Sequence, residues 1–162
     1  MSDHGALIDR YEQGAQLFVE ALGGVPPADL DRVPGPGKWT IRQIAIHTTD
    51  AELVFSARIR MLAGQNGAKI IAFNQDNWAA AMAYDRQPVE HTVTLFKTLR
   101  AVNAAMLRVL PESAWAHVGR HEERGPMTIE DMVNGYIRHG ENHSRAIRGL
   151  AEQFAGTAAV QV

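Results

Sequence analysis

The sequence predicts an all-α fold, an antiparallel four-helix bundle with a longer crossover between its second and third helices. Three observations carry that prediction. Four stretches repeat apolar residues at helical spacing. Gly-Gly, Pro-Pro and Pro-Gly punctuation separates the first of them from the second. The one short run that reads as a strand, Ile70-Ile71, has no visible partner run. With 162 residues a single core is expected. Residues 1–155 read as one helical domain and 156–162 as a loose tail.

The first helix is read from Leu7 to Leu22, through Leu7, Tyr11, Ala15, Phe18 and Leu22. Gly23-Gly24 stops it, and Pro26-Pro27 prevents its resumption. Residues 29–38 hold Pro34-Gly-Pro-Gly37 and read as a shaped loop. The second helix has a full start signal. Thr40 is the cap, Gln43 completes a capping box, and Trp39 and Ile44 form a hydrophobic staple. Ile44, His47, Ala51, Phe55 and Arg58 follow on one face, with the end expected near Gly64.

Residues 65–85 read as the crossover, with a short helix around Asn77 to Met82. The third helix spans about Pro88 to Leu110. Pro88 suits its first turn and Pro111 ends it. Thr92, Phe96, Leu99, Asn103 and Met106 make its inner face, with Asn103 expected as a buried amide bonded to a neighbouring helix. Residues 112–126 read as a loop carrying Trp115, His117 and His121. The fourth helix starts at Thr128, with Asp131 at the third helical position.

Composition narrows the function classes. Hydrophobic residues are 46% and charged residues 21%, ordinary values for a globular chain. A formal net charge of −2 provides no global basic field for nucleic acid. There is no cysteine, which removes disulfides and thiolate ligands. No secretory signal pattern opens the chain, and no apolar run approaches the roughly 20 residues of a membrane span. A cytoplasmic protein acting on a small molecule is the expectation, with no nucleic-acid or membrane partner.

The fourth helix carries the functional signal. Met132, Tyr136, His139, His143 and Ile147 share one stripe. His139 and His143 are four residues apart, so their rings sit one turn apart on the same face. Three readings stay open for this pair: hydrogen-bonded core histidines, a polar face lining a wet cleft, or ligands of one metal ion. His47 is the other histidine expected to be both helical and inward-facing. Three imidazoles from two facing helices match a divalent-metal site with one position open for water or substrate. Residue type does not choose among Zn, Ni, Fe and Cu.

Other patterns are absent. No Glu is followed three residues later by His, as a di-iron bundle requires. His139 is followed by Gly140, not by the Glu of a zincin. Asp50 is a candidate for orienting an imidazole or assisting proton transfer. A plain ion pair with Arg58 or a lysine is the alternative for it. Neutral rings are needed for ligation, so metal affinity is expected to fall below about pH 6.5, the unperturbed histidine value.

Two motifs carry a family resemblance. Trp39-Thr-Ile-Arg-Gln-Ile-Ala-Ile-His47, followed by Asp50, Glu52 and Arg58, resembles the second helix of the DinB-like (YfiT-like) superfamily of metal-dependent hydrolases. Tyr136-Ile-Arg-His139-Gly-Glu-Asn-His143 resembles its second signature, and Phe73-Asn-Gln-Asp76-Asn-Trp78-Ala79 a segment between the second and third helices of some members. The resemblance implies a four-helix bundle, often a homodimer. It implies a divalent metal, usually zinc or nickel, on His47, His139 and His143. It further implies that the ion activates water for hydrolysis, or a low-molecular-weight thiol as cosubstrate for S-transfer. The alternative is a non-catalytic, stress-related protein that binds a metal or small molecule.

Overall fold

The capping signals position the long helices. In a computed structural model, which describes residues 4–159, the Thr40 side chain accepts a hydrogen bond from the Gln43 backbone N–H at 3.3 Å. The Thr40 N–H donates to Gln43 Oε1 at 2.9 Å. This box opens α2 (Ile41–Gly64). Trp39 and Ile44 join the same apolar cluster, as a staple should. A matching box formed by Thr128 and Asp131, at 2.9 and 3.0 Å, stands at the start of α6 (Ile129–Ala159). That helix continues past Gly156, where the sequence suggests a loose tail; the last three residues lie outside the described part. The other long helices are α1 (Gly5–Gly23) and α4 (Val89–Val109), and the short ones α3 (Gln75–Ala81) and α5 (Glu112–Trp115).

Two apolar clusters fix the direction of each long helix. One gathers Ile8 and Tyr11 from early α1, Ile59 and Leu62 from late α2, Leu107 from late α4 and Ile129 to Ile137 from early α6. The other gathers Phe18 from late α1, Ile41 and Ile44 from early α2, Val89 and Phe96 from early α4 and Phe154 from late α6. The course is therefore up, down, down, up. α1 packs beside α6 and α4, and α2 beside α4 and α6. The antiparallel neighbours are α1 with α4 and α2 with α6. The expected crossover, residues 65–85, carries the chain back so that α2 and α4 run parallel. The result is a four-helix bundle, as expected.

One region differs from the sequence reading. Lys69–Ile70 forms β1, and residues 112–126, expected as loop, contain β2 (Val118–His121) and the start of β3 (Gly125–Thr128). β1 pairs parallel with β2 through Lys69–Arg120 and Ile70–His121, and β2 pairs antiparallel with β3. The partner that Ile70 lacked in sequence is Arg120-His121. Gly125, at φ 75°, supplies the left-handed residue that closes the hairpin. Gly119 is needed for a second reason: a Cβ there would lie 2.7 Å from Ile70 Cδ1. This small sheet covers the end of the bundle where α2 finishes and α6 begins.

Candidate metal centre

His47 is 2% exposed on the inner face of α2. His139 and His143 are half-buried on the facing stripe of α6. The antiparallel α2–α6 pair brings the three rings together. His47 Nε2 is 3.1 Å from His139 Nε2, and His143 Nε2 is 3.2 Å from the same atom. One ligand nitrogen from each ring lies within 4.8 Å of the others. Two nitrogens held about 2.0–2.1 Å from one tetrahedral ion are about 3.3 Å apart, so these separations suit a shared divalent ion. The rings also pack edge-on, His139 against His143 at 4.4 Å and His47 against Trp39 at 5.0 Å.

The electrostatics favour neutral rings. Burial, with the neighbouring His143, lowers His47 to about 4. Burial, His143, His47 and more distant arginines lower His139 to about 2. Burial also lowers His143. Neutral imidazoles are the form that binds metal. The Nε2 atoms of the three rings face one another, and in the tautomers protonated at Nδ1 their lone pairs share one point. His47 Nδ1 is buried with no hydrogen-bond partner among the described residues. With Nε2 turned to the shared point, Nδ1 is the nitrogen that would carry the proton of this ring, so the orphan lies outside the ligand set. The donor chemistry and the spacing both fit a divalent cation.

His47 and His139 border a cavity of about 380 Å³, within the range of small-molecule sites. Its walls come from α2, α6, the crossover and the hairpin. They include Phe73, Met132 and Tyr136, together with Arg58, His121 and Arg124. Tyr136 stacks on Phe55 at 4.3 Å, and its hydroxyl accepts from Arg58 Nη1 at 3.0 Å. Arg58 also donates to the carbonyl of Ile71. Burial raises the Tyr136 phenol, against the pull of Arg58.

Asp50 is bonded to Tyr84 rather than to an imidazole. Its carboxylate accepts from the Tyr84 hydroxyl at 2.5 Å and does not bond to His47. Asp50 borders a shallow depression on the other side of α2, beside Thr92 and Leu95. Three residues along a helix displace a side chain by about 60°, and on that neighbouring face the Asp50 carboxylate is drawn to Tyr84. The ion pair with Arg58 is not formed either, because Arg58 points to Tyr136 and Ile71. Sequence reasoning missed His121, Arg124 and Arg138 as cavity residues. The β1–β2 pairing that seats His121 joins segments fifty residues apart.

Comparison with known proteins places this geometry in context. Residues 10–147 match the family model described as the DinB superfamily. A protein of Oceanobacillus iheyensis named "Putative metal-dependent hydrolase" is 25% identical over 146 residues, covering 90% of this chain and 84% of its own. A protein of the same name from Geobacillus kaustophilus is 25% identical over 157 residues, covering 89% and 88%. Among solved structures, YfiT from Bacillus subtilis, described as a probable metal-dependent hydrolase with an unusual four-helix bundle topology, is similar with a TM-score of 0.87. That match covers 96% of this chain and 90% of YfiT at 19% identity, a likeness of fold.

Proposed function

The chain belongs to the DinB superfamily, and from that membership and the convergent imidazoles we propose that it is a metal-dependent hydrolase acting on a small molecule. One observation carries the reading: three Nε2-bearing rings share a point inside the bundle, with 3.1 and 3.2 Å between nitrogens. Its relatives' name, metal-dependent hydrolase, points the same way.

His47, His139 and His143 are the residues that would hold the ion. A divalent ion bound there acidifies water and polarises a carbonyl or phosphoryl oxygen. The remaining groups position and polarise the substrate. Trp39 packs on His47, and Tyr136 lies 5.9 Å from His139, which fixes the ring faces. Because the Tyr136 oxygen accepts from Arg58, its own proton remains free to donate to an oxygen that gains charge as the bond to the leaving group breaks. Phe73 and Met132 keep the cavity partly apolar, which strengthens such a bond.

The test is direct. Protein purified without an affinity tag is expected to contain close to one equivalent of divalent metal by elemental analysis. Hydrolysis of an ester and amide panel is expected to stop on chelation and to return with zinc or nickel. Running the panel with and without a low-molecular-weight thiol separates hydrolysis from S-transfer. Full activity after replacing all three histidines by Ala would rule the proposal out. Stoichiometric metal with no turnover would favour a binding protein.

A further inference from the structure

The cavity beside the imidazoles has a charge that the whole chain does not. Formal net charge is −2, yet the cavity lining contains three arginines, Arg58, Arg124 and Arg138, and no carboxylate. The nearby acids are occupied or turned outward. Glu122 pairs with Lys69 at 2.9 Å and accepts the Ala72 N–H. Asp131 is held by Thr128 in the cap of α6. Glu123 is exposed at the hairpin tip and borders an outer groove.

The arginines are also underused. Arg124 and Arg138 make no side-chain hydrogen bond or ion pair among the described residues. Arg58 donates through both terminal nitrogens, but its Nε is buried without a partner. A buried donor left unpaired costs free energy until something accepts from it. His121, 7% exposed, adds a fourth group. Its Nδ1 accepts the Glu123 N–H at 3.2 Å, so the ring's proton lies on Nε2 and makes that atom a donor. The field of Arg124 reaches both His121 and His139, which ties this wall to the metal centre.

We propose that the cavity selects small molecules bearing an oxyanion, a carboxylate or phosphate, which Arg58 anchors with help from Arg124 and Arg138 while the rest of the molecule lies toward the three imidazoles. This rests on the hydrolase reading only for the meaning of the imidazole end; the anion wall is tested by itself. Guanidinium forks match the planar geometry of such groups, and in a partly enclosed cavity each contact is worth more than in water. The same excess of positive charge disfavours cationic substrates.

The test uses two matched probe pairs, succinate with succinamide and phenyl phosphate with phenol. Binding to the zinc-loaded full chain is measured by calorimetry at fixed ionic strength. At least one anion is expected to bind roughly tenfold or more tighter than its neutral partner, and the better pair identifies carboxylate or phosphate as the group recognised. Arg58→Gln is expected to abolish that preference. Arg124→Gln and Arg138→Gln, at exposed positions where folding is not at risk, are each expected to weaken the anion roughly three- to tenfold. Repeating the titration on the variant with all three histidines replaced by Ala separates the two ideas. Anion preference that survives there supports the arginine wall even if metal binding and hydrolysis fail. Equal binding within each pair, no binding of any probe, or an anion preference insensitive to all three arginine variants overturns the proposal. An anion that binds only with metal and ignores the arginines is ligating the ion, and that result overturns it as well.

Discussion

Two buried polar clusters share α2 and α6, and they are built in opposite ways. At mid-bundle, Glu52 and Arg100, each 1% exposed, form an ion pair at 2.8 Å. Glu52 also accepts from the Tyr11 hydroxyl and from Asn103. Arg100 uses its remaining nitrogens on the carbonyls of Tyr11 and Tyr136, at 2.7 and 2.9 Å. Asn103 bonds Ser56 and Tyr11. Every long helix contributes a group. The three imidazoles, one layer away, set their Nε2 atoms 3.1 and 3.2 Å apart, and His47 Nδ1 has no partner among the described residues. The closed cluster ties the four long helices together, whereas the other gathers three potential ligand nitrogens at one point. Buried polarity alone is thus no guide to function; the convergence of ligand nitrogens is what sets the second cluster apart.

The largest expected effect breaks the closed cluster. Arg100→Met leaves Glu52 buried without its cation, in a site where burial already pushes its carboxyl up against the pull of Arg100. Urea unfolding is expected to show a loss of about 3–5 kcal/mol. The double variant Glu52→Gln/Arg100→Met should recover part of it, because no lone charge then remains. An unchanged denaturation midpoint for Arg100→Met would remove the contrast between the clusters.

Acid probes the imidazole cluster next. The folded-state values of His47 and His139, about 4 and about 2, lie below the unfolded value near 6.5. A depressed histidine means that the unfolded chain takes up protons first. Metal-free protein is therefore expected to lose stability as pH falls below about 6.5, by up to about 3 kcal/mol from His47 alone, and to be unaffected by these groups above it. The same depression moves metal release downward. The sequence suggests a fall in affinity below about pH 6.5, whereas burial places proton competition for His47 nearer pH 4. Zinc release followed with a chromophoric indicator locates the midpoint, and a value at 6.5 would mean that the rings are solvated.

Metal addition is the third lever. A ligand specific to the folded chain at a hundred times its dissociation constant stabilises by about 2.7 kcal/mol. Thermal unfolding with zinc should show this gain, and His139→Ala should erase it. The metal-free stability of His139→Ala is expected to change far less than that of Arg100→Met.

The two clusters were unequally legible in the sequence. The helix stripe exposed His139 and His143, and the Thr40 cap fixed the frame that turns His47 inward, since both are matters of local period. Asn103 was recognised as a buried amide for the same reason. Arg100 was not, because its burial depends on Glu52 and on two glycines in other helices. A Cβ at Gly14 or Gly140 would come within 2.8 or 2.9 Å of its guanidinium. A glycine inside a helix costs roughly 1 kcal/mol against alanine, so these two were the available sign of a bulky guest. The hairpin was illegible for a different reason. The buried positions of β2 are Gly119 and His121, so its alternation carries no apolar signal.

The smallest effect sharpens the comparison by placing Asp50 on one side of it. Asp50 and Tyr84 complete each other: burial raises the carboxyl while the Tyr84 hydroxyl stabilises its charged form. Tyr84 is fully buried and packs with Ile46 and Ala79, so this pair braces the crossover against the outer side of α2. Asp50 therefore belongs with the closed class despite sitting three residues from His47. Tyr84→Phe and Asp50→Asn are each expected to cost about 1 kcal/mol of stability, the net worth of one hydrogen bond. Neither should change metal content or the zinc dissociation constant by more than about twofold, since an orienting partner of a metal-bound ring typically costs 10- to 100-fold when lost. A tenfold weaker zinc affinity in Asp50→Asn would return this carboxylate to the metal centre, and would mean that the ring of His47 turns to meet it when an ion binds.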